Sequence, residues 1–306
     1  MNKIALTIII GLVVIVGITG LVLTKQKDNS PSDKLSVVAS FYPLAYFAEQ
    51  VGGDKVTVAN ITPAGAEPHD YEPSTQDVAA IERSKLLILN GAGLETWGKN
   101  ITETLHGKDV TVLTVGSEVA TRQVEEEGEL QQDPHIWLDP VLAQTMVQKI
   151  TTTLVILDPA HKAYYEANQS RVEAALTTLD DRYRTGLQSC KKKDFVTSHV
   201  AFGYLAQRYD LNQIAIAGVS PDEEPSSQDL ADVSKFVKDH NVKYIFFESL
   251  VSPKLSETIA KETGAQTLEL NPIEGLTAED TDQGKSYQSV MEQNLTNLQL
   301  ALECNR

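Results

Sequence analysis

From Leu35 onward the chain alternates short apolar runs with helical stretches, and does so twice, on either side of one long helical pattern. This alternation constrains the fold most, because strands separated by helices form a parallel sheet with helices on its faces. In the first half, strands are predicted at Leu35–Ser40, Val56–Ile61, Leu86–Leu89 and Val110–Val115, and helices at Pro43–Val51, Thr75–Arg83 and Leu94–Leu105. In the second half, strands at Phe195–Thr197, Gln213–Ala217, Tyr244–Phe247 and Thr267–Leu270 are followed in turn by helices Ala201–Arg208, Gln228–Asp239, Pro253–Glu262 and Tyr287–Leu302. Ser117–Asp133, with Glu125, Glu126, Glu127 and Glu129, reads as a solvated surface loop, and Val141–Leu157 as a helix. Pro159–Gln188 has no internal proline, and Tyr164, Val172, Leu176, Leu179 and Tyr183 recur in it at helical spacing. Such a helix is roughly 40 Å long, enough to tie two lobes together. The expected fold is therefore α/β, with two lobes that each hold a roughly four-stranded parallel sheet flanked by helices, joined by a long linking helix. The lobes fall at residues 35–158 and 190–306, with the linking helix at 159–189. No residue-level repeat relates the halves.

Ile4–Leu23 carries no charge, is bounded by Lys3 and by Lys25 and Lys27, and is long enough to span a bilayer. It predicts export, with residues 1–24 as a membrane anchor or a cleaved signal and residues 25–34 as a flexible tether. No cysteine lies near its end to carry a bacterial lipid anchor. The only cysteines, Cys190 and Cys304, suit a disulfide in an exported protein, or else two buried thiols. A formal charge of −16 argues against a nucleic-acid partner, and an apolar fraction of 42% suffices for real cores.

Three of the six histidines stand in turns marked by proline or serine: Glu67-Pro68-His69-Asp70-Tyr71-Glu72-Pro73, Asp133-Pro134-His135-Ile136-Trp137-Leu138-Asp139-Pro140 and Thr197-Ser198-His199. A lone turn histidine is usually an ordinary polar residue. Three in such contexts point to a metal site, and three imidazoles with one carboxylate suit Zn2+. Trp97 and Trp137 read as packing residues, Trp137 also as a wall of the site. His106, His161 and His240 are assigned no metal role.

These motifs, with Phe41-Tyr42-Pro43-Leu44, Gly218-Val219-Ser220-Pro221-Asp222-Glu223-Glu224-Pro225-Ser226, Phe246-Phe247-Glu248 and Leu270-Asn271-Pro272-Ile273-Glu274-Gly275-Leu276, are together highly specific. From about Leu35 to its end the chain resembles the zinc- and manganese-uptake receptors, the metal solute-binding proteins of bacterial ABC transporters. The resemblance implies one metal between two lobes, handed to a membrane permease and not used for chemistry. By position, His69 and His135 would be first-lobe ligands. His199 stands where manganese receptors of the family carry a glutamate, which favours zinc. For the fourth ligand the resemblance points to Glu274, with Glu248 or a water as alternatives. Ser117–Asp133 lacks the histidine-rich tract that many zinc receptors carry.

The expected function is thus an extracytoplasmic receptor, periplasmic or at the cell surface, that binds Zn2+ as cargo for an ABC permease and works as a monomer. A manganese receptor and a surface adhesion protein of the same fold are the alternatives. A zinc hydrolase is disfavoured: no H-E-x-x-H occurs, and no acid is clearly placed as a general base. No enzyme activity is expected.

Overall fold

Parallel sheets are covered by helices on both faces, and this chain builds two of them; the run Leu86–Leu89 inside the first is apolar and buried at every residue. The computed structural model describes residues 34–126 and 128–305; the apolar segment Ile4–Leu23 and all of the tether but Lys34 lie outside the described residues. The first half runs β1 (Leu35–Ala39), α1 (Tyr42–Gly52), β2 (Val56–Asn60), α2 (Thr75–Arg83), β3 (Leu86–Leu89), α3 (Gly98–Thr104) and β4 (Thr111–Thr114). Its sheet has the order β2-β1-β3-β4, with every pairing parallel. Helix α1 carries Pro43 in its first turn, where the missing N–H costs nothing. Helix α2 starts at a capping box formed by Ser74 and Asp77.

A hairpin, β5 (Gln123–Glu126) and β6 (Glu129–Gln132), comes next, then α4 (Pro140–Leu157) and α5 (Lys162–Leu187). The second half follows as β7 (Asp194–Thr197), α6 (Gly203–Arg208), β8 (Asn212–Ala215), α7 (Ser227–Asp239), β9 (Tyr244–Phe247), α8 (Lys254–Thr263), β10 (Gln266–Glu269), α9 (Ala278–Asp282) and α10 (Tyr287–Ala301). Its sheet, ordered β10-β9-β7-β8, is again parallel. Numbered from its own first strand, each half reads second, first, third, fourth. The two halves share a topology that their residues do not betray. No helix among the described residues is long and apolar enough to cross a membrane.

Helix α5 packs on α1 and α4 in the first half and on α10 in the second. Tyr165, Val172, Leu176, Leu179, Tyr183 and Leu187 form its buried face. One apolar cluster spans both halves, joining Phe41, Phe47 and Trp137 to Phe195, Phe246, Tyr287 and Met291. Accordingly the chain from Leu35 on is one compact unit. A disulfide joins Cys190, just past α5, to Cys304, just past α10.

Four local expectations need correction. Ser117–Asp133 is not all loop: Gln123–Glu126 pairs with Glu129–Gln132 around Gly128, whose φ of +83° makes the turn. Helix α3 begins at Gly98 and not Leu94, because Gly91 and Gly93 are left-handed and the Glu95 carboxylate binds the N–H groups of Asn90 and Gly91. Tyr164 is exposed, and Tyr165 takes the core position with its hydroxyl donating to Asp158 at 2.7 Å. Helix α9, capped by Thr277, has no counterpart in the sequence reading.

Candidate metal centre

Ligands in parallel α/β sheets collect beyond the carboxyl ends of the strands, and the three histidines and Glu274 meet there. His69 lies on the segment between β2 and α2. The loop before it is tied to the second half through the Gly65 N–H, which donates to the Leu276 carbonyl at 3.0 Å. The His69 N–H donates to Glu67 Oε1 at 3.2 Å.

His135 precedes α4 and is fixed by its neighbours. Asp133 Oδ1 accepts from both the His135 backbone N–H (3.0 Å) and the ring Nδ1 (2.8 Å). Asp133 Oδ2 accepts from Arg122 Nε at 3.0 Å, and Asn90 Nδ2 donates to the Pro134 carbonyl at 3.0 Å. His199 follows β7 directly. Its carbonyl accepts from Thr197 Oγ1 and Gln213 Nε2, and its Nδ1 lies 2.9 Å from each oxygen of Glu248, the residue after β9. With Nδ1 held by a carboxylate, each ring presents Nε2 as a lone-pair donor and gains basicity.

Glu274 sits in the loop after β10, clamped from both halves. Trp137 Nε1 donates to the Pro272 carbonyl at 2.7 Å, and the Asn294 side chain brackets the backbone of Asn271. Asn271 Oδ1 accepts from the Ile273 N–H, and Ile273 itself is left-handed at φ +59°. A β-branched residue held there is strained, a cost met by the contacts around it. Asn271 is thereby a bracket of the loop, with Nδ2 donating to Ser249.

The result is a focus. Glu274 Oε1 lies 3.1 Å from His135 Nε2, 3.3 Å from His199 Nε2 and 3.4 Å from His69 Nε2, and the Nε2 atoms of His135 and His199 are 3.2 Å apart. All four donor atoms lie within 4.8 Å of one another. Bonds of about 2.0–2.1 Å in a tetrahedron set donors about 3.3–3.4 Å apart, so the observed spacings fit a small tetrahedral ion. His135, His199 and Glu274 are fully buried and His69 is 8% exposed. Trp137 stands beside the cluster, its ring 5.2 Å from that of His135. The other histidines stay away: His161 pairs with Asp158 and His240 with Asp194, while His106 lies outside the cluster.

The electrostatics describe a cage built for positive charge. Burial raises the Glu274 carboxyl, but the His199 charge and the three imidazole contacts outweigh it and hold it well below the usual range. Burial disfavours a charged His199, yet Glu248 and Glu274 lift it well above its ordinary value. His135 is likewise raised, burial being overcome by Asp133 and Glu274, whereas burial lowers His69. Burial, and then the charge of Glu274, push Glu67 up to about 10. Sequence reasoning gave roles neither to Glu67 nor to Asp133, although each stands two residues before a histidine across a proline.

Two α/β lobes bridged by one long helix, with three histidines and a carboxylate gathered where the lobes meet, are the build of a metal solute-binding protein of an ABC transporter. The chain belongs to the periplasmic zinc-uptake complex component A (ZnuA) family, whose sequence profile matches residues 37–301. It is 42% identical over 290 residues to the high-affinity zinc uptake system protein ZnuA of Bacillus subtilis, covering 91% of each chain. It is 40% identical to the zinc-binding lipoprotein AdcA of Streptococcus pneumoniae, using 89% of this chain but spanning only 56% of that longer protein. The Zn(II)-bound ZnuA-like domain of AdcA superposes with a TM-score of 0.77 at 41% identity, covering 88% of this chain and 99% of that one. A laminin-binding protein (Lmb) of Streptococcus agalactiae, described as bifunctional with adhesin and metal-transporting activity, superposes with a TM-score of 0.79 at 36% identity, covering 88% and 99%.

Proposed function

We propose that the protein is an extracytoplasmic receptor that captures Zn2+ where its two lobes meet and passes it to an ABC permease. In this reading His69, His135, His199 and Glu274 are the ligands, Glu248 and Asp133 orient two of the rings, and the lobes are residues 35–158 and 190–306 about the helix at 159–189. One observation carries it: a single carboxylate oxygen stands 3.1–3.4 Å from three Nε2 atoms. Three nitrogens and one oxygen in a tight tetrahedral spacing favour zinc over manganese, which prefers oxygen-rich sites of higher coordination. A site with four protein donors suits carriage; catalytic zinc keeps an open position for water. The similarity to a zinc uptake system protein supports a binding role and delivery to a permease. The apolar N-terminal segment would then be the anchor or export signal, and the receptor would act as a monomer. A His199→Ala variant is expected to lose most zinc affinity in chelator competition; unchanged affinity would remove the assignment.

The likeness to Lmb supports a second role at the cell surface, as an adhesin. Deleting the gene separates the two: a receptor leaves cells dependent on added zinc, whereas an adhesin alone leaves zinc uptake intact.

A further inference from the structure

Two rings of the cluster have their Nδ1 against a buried acid, and the two acids are held differently. Glu248, behind His199, takes the His199 N–H and lies 2.9 Å from Nδ1 through both oxygens; among the described residues it pairs with no lysine or arginine. Asp133, behind His135, gives one oxygen to the His135 N–H and Nδ1 and the other to a guanidinium, with Arg122 Nε donating to Oδ2 at 3.0 Å. A carboxylate behind a metal-binding imidazole makes it a stronger donor. A cation on the far side of that carboxylate draws part of the effect back, and it also repels the metal ion.

The guanidinium is not what orients Asp133. The Asp133 N–H donates to the Arg122 carbonyl at 3.0 Å, next to the last pair of the β5–β6 hairpin. Tyr204 Oη accepts from the Arg122 N–H at 2.9 Å and donates to the Asp133 carbonyl at 3.2 Å. Asp133 Oδ1 is fixed by two donors of His135 itself. These bonds use main-chain atoms of Arg122 or none of its atoms, so another side chain at position 122 leaves them in place. The guanidinium is nonetheless confined. It lies over Gly203 at the start of α6, where a Cβ would come within 2.2 Å of Arg122 Nε. The Arg122 side chain is 33% exposed, so solvent and salt screen its charge only in part.

We infer that Arg122 is a tuning residue that weakens His135 as a zinc donor and sets the affinity of the site below what its four donors alone would give, which quickens release. His199, with Glu248 unopposed, is then the stronger imidazole. This rests on the zinc-site reading above. Arg122 bonds to none of the four donors and acts through Asp133 and through its charge.

The test is competition titration of the full chain against a zinc chelator of known affinity, with chelator-driven release followed by stopped flow. Arg122→Gln can still donate to Asp133 but carries no charge. It is expected to bind zinc roughly tenfold more tightly than wild type and to release it correspondingly more slowly. Arg122→Met carries the same expectation and serves if the glutamine variant does not fold. Arg122→Lys keeps the charge and should stay close to the wild-type affinity. Co2+ bound in place of zinc should show the same visible absorption in Arg122→Gln as in wild type, because the four donors are unchanged. A residue that merely braced the site would act in the opposite sense, its loss giving weaker binding and faster release. That result, an unchanged affinity, equal tightening in Arg122→Lys, or an altered Co2+ spectrum would each overturn the tuning role. A wild-type chain that bound no zinc would instead overturn the site itself.

Discussion

Replacing Glu248 by glutamine tests how much of the proposed zinc affinity comes from a residue that is not itself a proposed ligand. Glu248 is 3% exposed, and both its oxygens lie 2.9 Å from His199 Nδ1. An amide of the same shape keeps an acceptor there but removes the negative charge that makes the imidazole a stronger donor. Removing such a partner costs roughly 10–100-fold in metal affinity, about 1.4–2.7 kcal/mol. The pH dependence carries a second, opposite term. Zinc must displace any proton on His199, so affinity rises with pH until it passes the raised value of that group. Without Glu248 the His199 proton is held less tightly, and acid penalises the variant less. Glu248→Gln is therefore expected to bind about 10–100-fold more weakly than wild type in mildly alkaline buffer, with the gap narrowing as pH falls. Competition titration against a chelator of known pH dependence measures both. Equal affinities at alkaline pH, or a gap that widens on acidification, would refute the role given to Glu248.

Asp139 caps α4 through the N–H groups of Val141 and Leu142 and binds Arg208 of the second half at 2.8 Å. Losing a cap of about 1 kcal/mol and a charged hydrogen bond of about 1.5–3 kcal/mol, Asp139→Ala should unfold at lower denaturant by about 2–4 kcal/mol; an unchanged midpoint would contradict this. Protein from its native compartment, denatured without reductant, should show no free thiol. Cys304→Ser should cost on the order of 4–5 kcal/mol by loop-closure entropy, read by the same denaturation. Mass spectrometry of the mature N-terminus decides between anchor and signal: an intact Ile4–Leu23 in the membrane fraction supports the anchor, and a soluble chain beginning within or after it supports cleavage.

The strands were legible because sheets covered on both faces leave runs such as Leu86-Leu87-Ile88-Leu89, which no solvated element would carry. The histidines were legible because proline and serine mark the turns at strand ends. The hairpin was not: its four glutamates masked a pairing that rests on the turn at Gly128. Tyr165 displaced Tyr164 because the one-residue choice of face depends on the turn at Pro159–His161, which shifts where α5 begins. The preference for Glu274 over Glu248 as fourth ligand came from the family resemblance alone, not from any local pattern of residues. Glu274 points at the focus because Trp137, Asn294 and the left-handed Ile273 hold its loop, and none of those relations is local in sequence.

The disulfide has a topological consequence. Residues 190–304 form a covalent ring. The backbone joins that ring and departs from it at a single knot, Cys190 with Cys304, at the foot of α5. A protease that nicks one loop between those cysteines opens the ring without shedding a piece, because both ends stay attached to the first half. In a compartment shared with secreted proteases, half of the proposed metal cage would remain on its stem after a cut that would sever an unbridged chain.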